Sequence, residues 1–177
     1  MRRQMRYRLV VPILRGKHSP EYTARGVLFG LLAAMTPTVG IQMPIVLIVW
    51  GCIRLLRPSW DFNLVVGLAW TWVTNIITVP PMYYMFLVTG RFLTGHWDAL
   101  TGYDEFQQRL TMLLDADAVW YEALWVYIWG IFEVWGVPLF IGSIPWAALS
   151  AWLGYRWSLR LIREFRMRRA RRAVADE

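Results

Sequence analysis

The residues best suited to chemistry in this chain sit where long apolar runs are interrupted. Thr36, Thr38 and Gln42 surround one interruption, Pro37-Thr38-Val39-Gly40. Thr74, Asn75 and Thr78 surround a second, which ends in Pro80-Pro81. Proline withdraws a backbone donor and glycine admits a turn, so a helix reaching either point must stop. A stopped helix leaves unpaired amides and carbonyls, which in apolar surroundings need side chains, other protein groups or trapped water. Two uses of the polar residues follow. Gln42 and Asn75 can tie two hairpins together across a bundle. Alternatively, helix N-termini at the breaks can present positive dipole ends to an anionic group. Thr38, Gln42, Asn75 and Thr78 are the candidate substrate-binding residues, with Pro37, Gly40, Pro80 and Pro81 as the structural breaks.

Glu133 is a fifth candidate, because it stands alone between two apolar stretches. A carboxylate at mid-span costs about 2.5–3.5 kcal/mol on insertion scales, so it must face an interior or an edge. It is either a proton or cation site, or the end of one span with Val134 opening the next. Arg25 and Arg91 stand at the edges of the long runs, placed to meet lipid phosphates or simply to snorkel. Soluble-enzyme chemistry is poorly served. There is no phosphate-binding loop and no dinucleotide fingerprint. His18, His96 and Cys52 are too few for a His/Cys metal cluster. Ser143, in Gly142-Ser143-Ile144-Pro145, lacks the spacing of a nucleophile elbow. No catalytic residue, metal or cofactor is expected.

The elements that must position these residues follow from composition. The chain has 177 residues, 57% apolar and 18% charged, with twelve tryptophans. Charge-free runs extend from Gly26 to Ile53, Phe62 to Gly90 and Val134 to Tyr155, each longer than the ~18 residues that mark a membrane segment. The net charge of +7 is concentrated at the ends, with Lys/Arg before Gly26 and after Tyr155. That distribution argues for cytoplasmic termini and against nucleic-acid binding. Cys52 alone forms no intramolecular disulfide. The Leu9–Leu14 stretch is too short for a cleavable signal, so the first membrane segment is expected to direct insertion.

The expected fold is an all-α integral membrane protein of broken helical hairpins plus a C-terminal span or hairpin. A basic cytoplasmic arm covers 1–18 and the membrane domain 19–155. Ser19-Pro20-Glu21 opens the first helix with a cap, an N1 proline and a dipole-matched acid. As a single helix, Gly26–Ile53 would extend about 42 Å against a hydrocarbon core of about 30 Å, so the break turns it into a hairpin over about 19–57. A second hairpin is expected over about 60–92. A 37-residue offset lays Gly30 on Gly67 and Pro44 on Pro81. Paired interrupted segments point to a midplane site, and a kink accommodated by neighbouring helices explains them equally. Phe106, Leu110, Leu113 and Leu114 give an amphipathic surface segment over about 98–118, on a side the sequence leaves open. The hydrophobic part 119–155 is one span or a third hairpin. The basic tail 156–177 carries Arg156, Arg160 and Arg163 beside an apolar stripe of Leu153, Trp157, Leu161 and Phe165. It is either a helix lying on an anionic leaflet or a solvated tail.

Ser19-Pro20, Ala24, Gly26, Gly30, Pro37, Gly40 and Gln42, followed by Asn75, Thr78, Pro80, Pro81, Tyr83 and Gly90, resemble a bacterial family, the membrane domain-of-unknown-function 2062. That family typically has Asn-Pro-x-Thr in the second block, where this chain has Ile76 after Asn75. The resemblance implies a small multi-pass protein of the bacterial inner membrane and no activity. The leading functional expectation is a small transporter or flippase-like protein for an anionic or lipid-linked substrate, with the lipid bilayer as its partner. A pathway in so short a chain would call for a homo-oligomer. The alternative is a non-catalytic scaffold assisting envelope or glycolipid enzymes.

Overall fold

A computed structural model describes residues 19–38, 40–75, 77–96, 102–114, 129, 132 and 135–175. Among these residues every regular element is helical. The α-helices are α1 (Pro20–Ala34), α2 (Gln42–Leu56), α3 (Leu64–Trp70), α4 (Val79–Thr94), α5 (Tyr103–Leu114) and α6 (Gly136–Ala175). Short 3-10 turns at Pro58–Trp60 and Thr71–Val73 flank α3. The Ser19 hydroxyl accepts from the Tyr22 amide at the start of α1, and the Asn63 carboxamide oxygen accepts from the Val66 amide at the start of α3. The basic arm and Glu133 lie outside the described residues.

Helix α6 is the spine. At 1.5 Å per residue its 40 residues extend about 60 Å. Both α1 and α4 run antiparallel to it, one after the other. At the C-terminal end, Arg163 donates to Glu21 at 2.7 Å, which holds the Glu21 carboxyl below its ordinary range. Further in, Gly154 lies against Leu31 and Val27. Toward the N-terminal end, Gly142 meets Phe86 and Gly90, and Gly90 meets the Pro138 carbonyl. A Cβ on Gly90 or Gly142 would run into backbone, so these helices approach as closely as only glycine permits. Ser143, Ala147, Ala151 and Ser158 continue the small, buried face of α6.

Helix α3 lies beside α1 and points the same way. The Asn63 amide donates to the Tyr22 carbonyl, Gly67 backs onto Gly30, and Thr74 reaches the Ala34 carbonyl. Helix α2 returns along them, with Val46 beside Gly67 and Ala33. The first run is therefore a hairpin that goes in and comes back. The second is different from the hairpin expected over 60–92. After the break, α4 continues away from α3 toward the start of α6, so α3 and α4 form one interrupted helix. Packing decides this. The Tyr83, Phe86 and Leu87 face of α4 is buried against Leu139 and Trp135, which only the onward direction reaches.

Two points that the sequence left open are narrowed. From Gly136 onward there is no third hairpin, because α6 passes through Pro145 unbroken. Nor does the tail begin a separate surface helix at 156. Between Gly154 and Ala175 no glycine or proline interrupts a run of good helix formers, so the spine continues into it. The stripe of Leu153, Trp157, Leu161 and Phe165 stays exposed while Ile162 is buried behind it. Helix α5 packs through Phe106 and Leu110 against Trp135 and Tyr84, and turns Asp104, Glu105, Gln107, Gln108 and Arg109 outward.

Candidate functional site

The two breaks meet. Helix α1 ends at Ala34 and α4 begins at Val79, and Met35 packs on the cluster that holds Val79 and Tyr83. Between them lies a buried knot of polar groups. Gln42, 6% exposed, donates through Nε2 to the Thr74 hydroxyl at 2.9 Å. Thr74, equally buried, donates in turn to the Ala34 carbonyl at 3.1 Å. Ala34 sits in the last turn of α1, whose carbonyls have no partner within the helix, so the knot closes that end. The cross-link between the two runs is thus Gln42 with Thr74, whereas Asn75 serves its own turn.

Asn75 and Thr78 close the turn before α4 on each other. The Asn75 carboxamide oxygen accepts from the Ile77 and Thr78 amides at 2.9 and 3.2 Å. The Thr78 hydroxyl accepts from the Asn75 amide at 2.8 Å and donates to the Val73 carbonyl at 3.0 Å. The Val79 amide goes to the Asn75 carbonyl at 2.8 Å, and Pro80 and Pro81 have no amide hydrogen to offer. Every donor that the start of α4 would turn toward an anion is already engaged or missing. The dipole end is present, but its hydrogen-bonding groups are spent internally.

Beside the knot lies an open groove of about 420 Å³, lined by Gly40, Gln42, Met43, Thr71, Trp72, Thr74, Asn75 and Ile77. Its floor is the uncharged polar trio Gln42, Thr71 and Thr74. Its rim is apolar, with Trp72 67% and Ile77 84% exposed. Of the sequence candidates, Gln42, Asn75 and Gly40 meet here. Thr38 instead bonds Thr36 at 2.9 Å within the first turn, and Thr78 is committed to its own turn through Val73 and Asn75. Buried Pro37 shapes the turn in which Gly40 takes a φ of 93°, a conformation that favours glycine. Glu133 lies outside the described residues. Thr71 and Trp72 were not singled out by sequence reasoning. The available signal was a hydroxyl three residues before Thr74, on the same face of a helical turn.

Gly40 and Gln42 from the first run and Asn75 from the second thus line one groove, and the family model matches residues 2–171. The chain belongs to DUF2062, described as an uncharacterized protein conserved in bacteria. No curated protein and no solved structure matches it. For this DUF2062 chain the groove and knot are therefore the guide to function.

Proposed function

We propose that this chain is a multi-pass protein of the bacterial inner membrane that holds an amphipathic, lipid-linked molecule in the groove between its two breaks. Support for membrane embedding begins with α6, whose Gly136–Arg168 portion is long and apolar enough to cross a bilayer. It continues with large apolar side chains facing outward, among them Ile48, Leu55, Val65, Ile144 and Trp152, which water would penalise and lipid would not. The groove carries the functional reading. Its mostly apolar lining suits an acyl or isoprenoid chain, and the small uncharged patch of Gln42, Thr71 and Thr74 beneath it suits a hydroxyl or amide group. With the donors at the start of α4 engaged, a neutral polar portion fits the groove floor better than a bare anion. Movement of such a molecule between leaflets is the finer reading, since α1 and α2 reach only part of the way along α6.

The scaffold reading draws on a specific observation too: the breaks are closed by their own hydrogen bonds, as packing joints would be. One experiment separates them. In a Cys52→Ala background, Ile77→Cys is treated with a lipid-soluble maleimide and with a membrane-impermeant one, and photoreactive neutral glycolipid is offered to Ile77→Trp, whose larger ring fills the groove. The lipid-binding reading expects labelling by the lipid-soluble reagent and crosslinking to the unsubstituted protein that Ile77→Trp loses. Labelling by the impermeant reagent would instead indicate a wet pathway. Absence of crosslinking with unchanged membrane abundance favours the scaffold.

A further inference from the structure

A second groove, of about 410 Å³, lies at the far end of α2 and is lined by Cys52, Ile53, Leu56, Arg57 and Trp60. It is apolar along the helix and ends at a guanidinium. The neighbouring cations are occupied. Arg25 donates to the Ser59 carbonyl at 2.6 Å and lies over the Trp60 ring at 5.3 Å, while Arg54 lies over Trp50 at 5.0 Å. Glu21 is taken by Arg163, Glu164 faces Arg168 at 3.7 Å, and Asp61 accepts from the Phe62 amide. The exposed Arg57 guanidinium has no partner among the described residues. Arg25, over the same Trp60 ring, and Arg54, three residues earlier on α2, bring further positive charge to this end beside the Asp61 carboxylate, and the Trp60 indole prefers the headgroup level of a bilayer.

The geometry points to an anionic phospholipid bound here, its phosphate on Arg57 and an acyl chain along Cys52, Ile53 and Leu56. Charge complementarity selects the headgroup, because a zwitterionic lipid brings no net charge to this end. The apolar groove selects a lipid over free phosphate. This site is distinct from the groove at the breaks and shares with it only the membrane embedding.

The test is native mass spectrometry of the full chain released from micelles containing equal phosphatidylglycerol and phosphatidylcholine. The expected result is phosphatidylglycerol adducts in excess, with Arg57→Gln lowering that excess about fivefold, the weight of one basic side chain at an anionic surface. Cys52→Trp, at an exposed position, should reduce adducts of both lipids by filling the groove. Arg109→Gln on α5 should leave them unchanged. Persistence of the preference in Arg57→Gln, or undiminished adducts in Cys52→Trp, overturns the lipid site. So does displacement by millimolar inorganic phosphate, which would make it a free-anion site. Alkaline carbonate extraction of the cell membranes from which the chain is purified separates the two failures. A chain that carbonate releases overturns the membrane reading, whereas a retained chain without lipid preference overturns this site alone.

Discussion

Thr74 does more for the fold than any polar residue around it, and the reason is its position between two groups with nowhere else to go. Its hydroxyl accepts from Gln42 and donates to Ala34, all within a buried joint. Thr74→Val keeps the shape and strands both partners, so a loss of about 1–3 kcal/mol is expected, less if water enters. Gln42→Leu leaves Thr74 still able to donate to Ala34 and should cost less. Because the two share one hydrogen bond, the double variant should lose less than the sum of the singles. Thermal melting of the four proteins in one detergent measures this, and strict additivity would show that the knot is not a unit. The sequence makes the polar cluster legible, since hydroxyl and carboxamide groups stand out in apolar runs. It does not show which of Thr74 and Asn75 points inward. That depends on the 3-10 turn Thr71–Val73, which rotates Thr74 toward α1 and leaves Asn75 exposed in its own turn.

At the scale of the elements, glycine decides how close the helices come. A Cβ on Gly142 would collide with the Phe86 carbonyl and the Gly90 backbone, and backbone cannot swing aside as a side chain can. Gly142→Ala should therefore push α4 off α6, costing upward of about 2 kcal/mol by analogy with overpacked cores. Gly51 is the control, because a Cβ there meets nothing within 4 Å. In the middle of α2, Gly51→Ala should be neutral or add about 0.5–1 kcal/mol through helix propensity. Comparing folded yield and melting temperature for the two checks the argument, and equal behaviour would remove the close approach as its basis. Proline and glycine also made the helix ends legible, because their effect on the backbone is local. What the chain does after a stop is not local. Pro37-Gly40 and Asn75-Pro81 look alike in sequence, yet one run folds back and the other goes on. The difference comes from Gly90 and Phe86 meeting Pro138 and Gly142, partners dozens of residues away.

Across the whole molecule, the interrupted helix α3–α4 sets the topology. Both α1 and α6 bring basic residues to one end, where Glu21 and Arg163 meet. The water-facing side of α5 lies near the start of α6, and Gly136 to Arg156 rises about 30 Å, one hydrocarbon thickness. An amphipathic helix with Asp104, Glu105 and Arg109 outward cannot face acyl chains, so in a bilayer it belongs at the interface opposite the arginines. Had both runs been hairpins, this acidic segment would sit on the same side as the termini. On the proposed membrane reading, one hairpin and one crossing would place it across the bilayer from the arginines, where its shortage of Lys/Arg agrees with the positive-inside rule. In a Cys52→Ala background, Gln108→Cys and Arg171→Cys should react with an impermeant maleimide from opposite faces, Gln108→Cys in spheroplasts and Arg171→Cys in inverted vesicles. Labelling of both from the same face would return the second run to a hairpin and detach α4 from its place along α6. The outcome also bears on mechanism. In the proposed embedding, a re-entrant hairpin beside a broken crossing would leave the groove at the breaks open to one side of the bundle. A molecule held there as proposed would exchange with the surrounding bilayer without the protein having to enclose a channel.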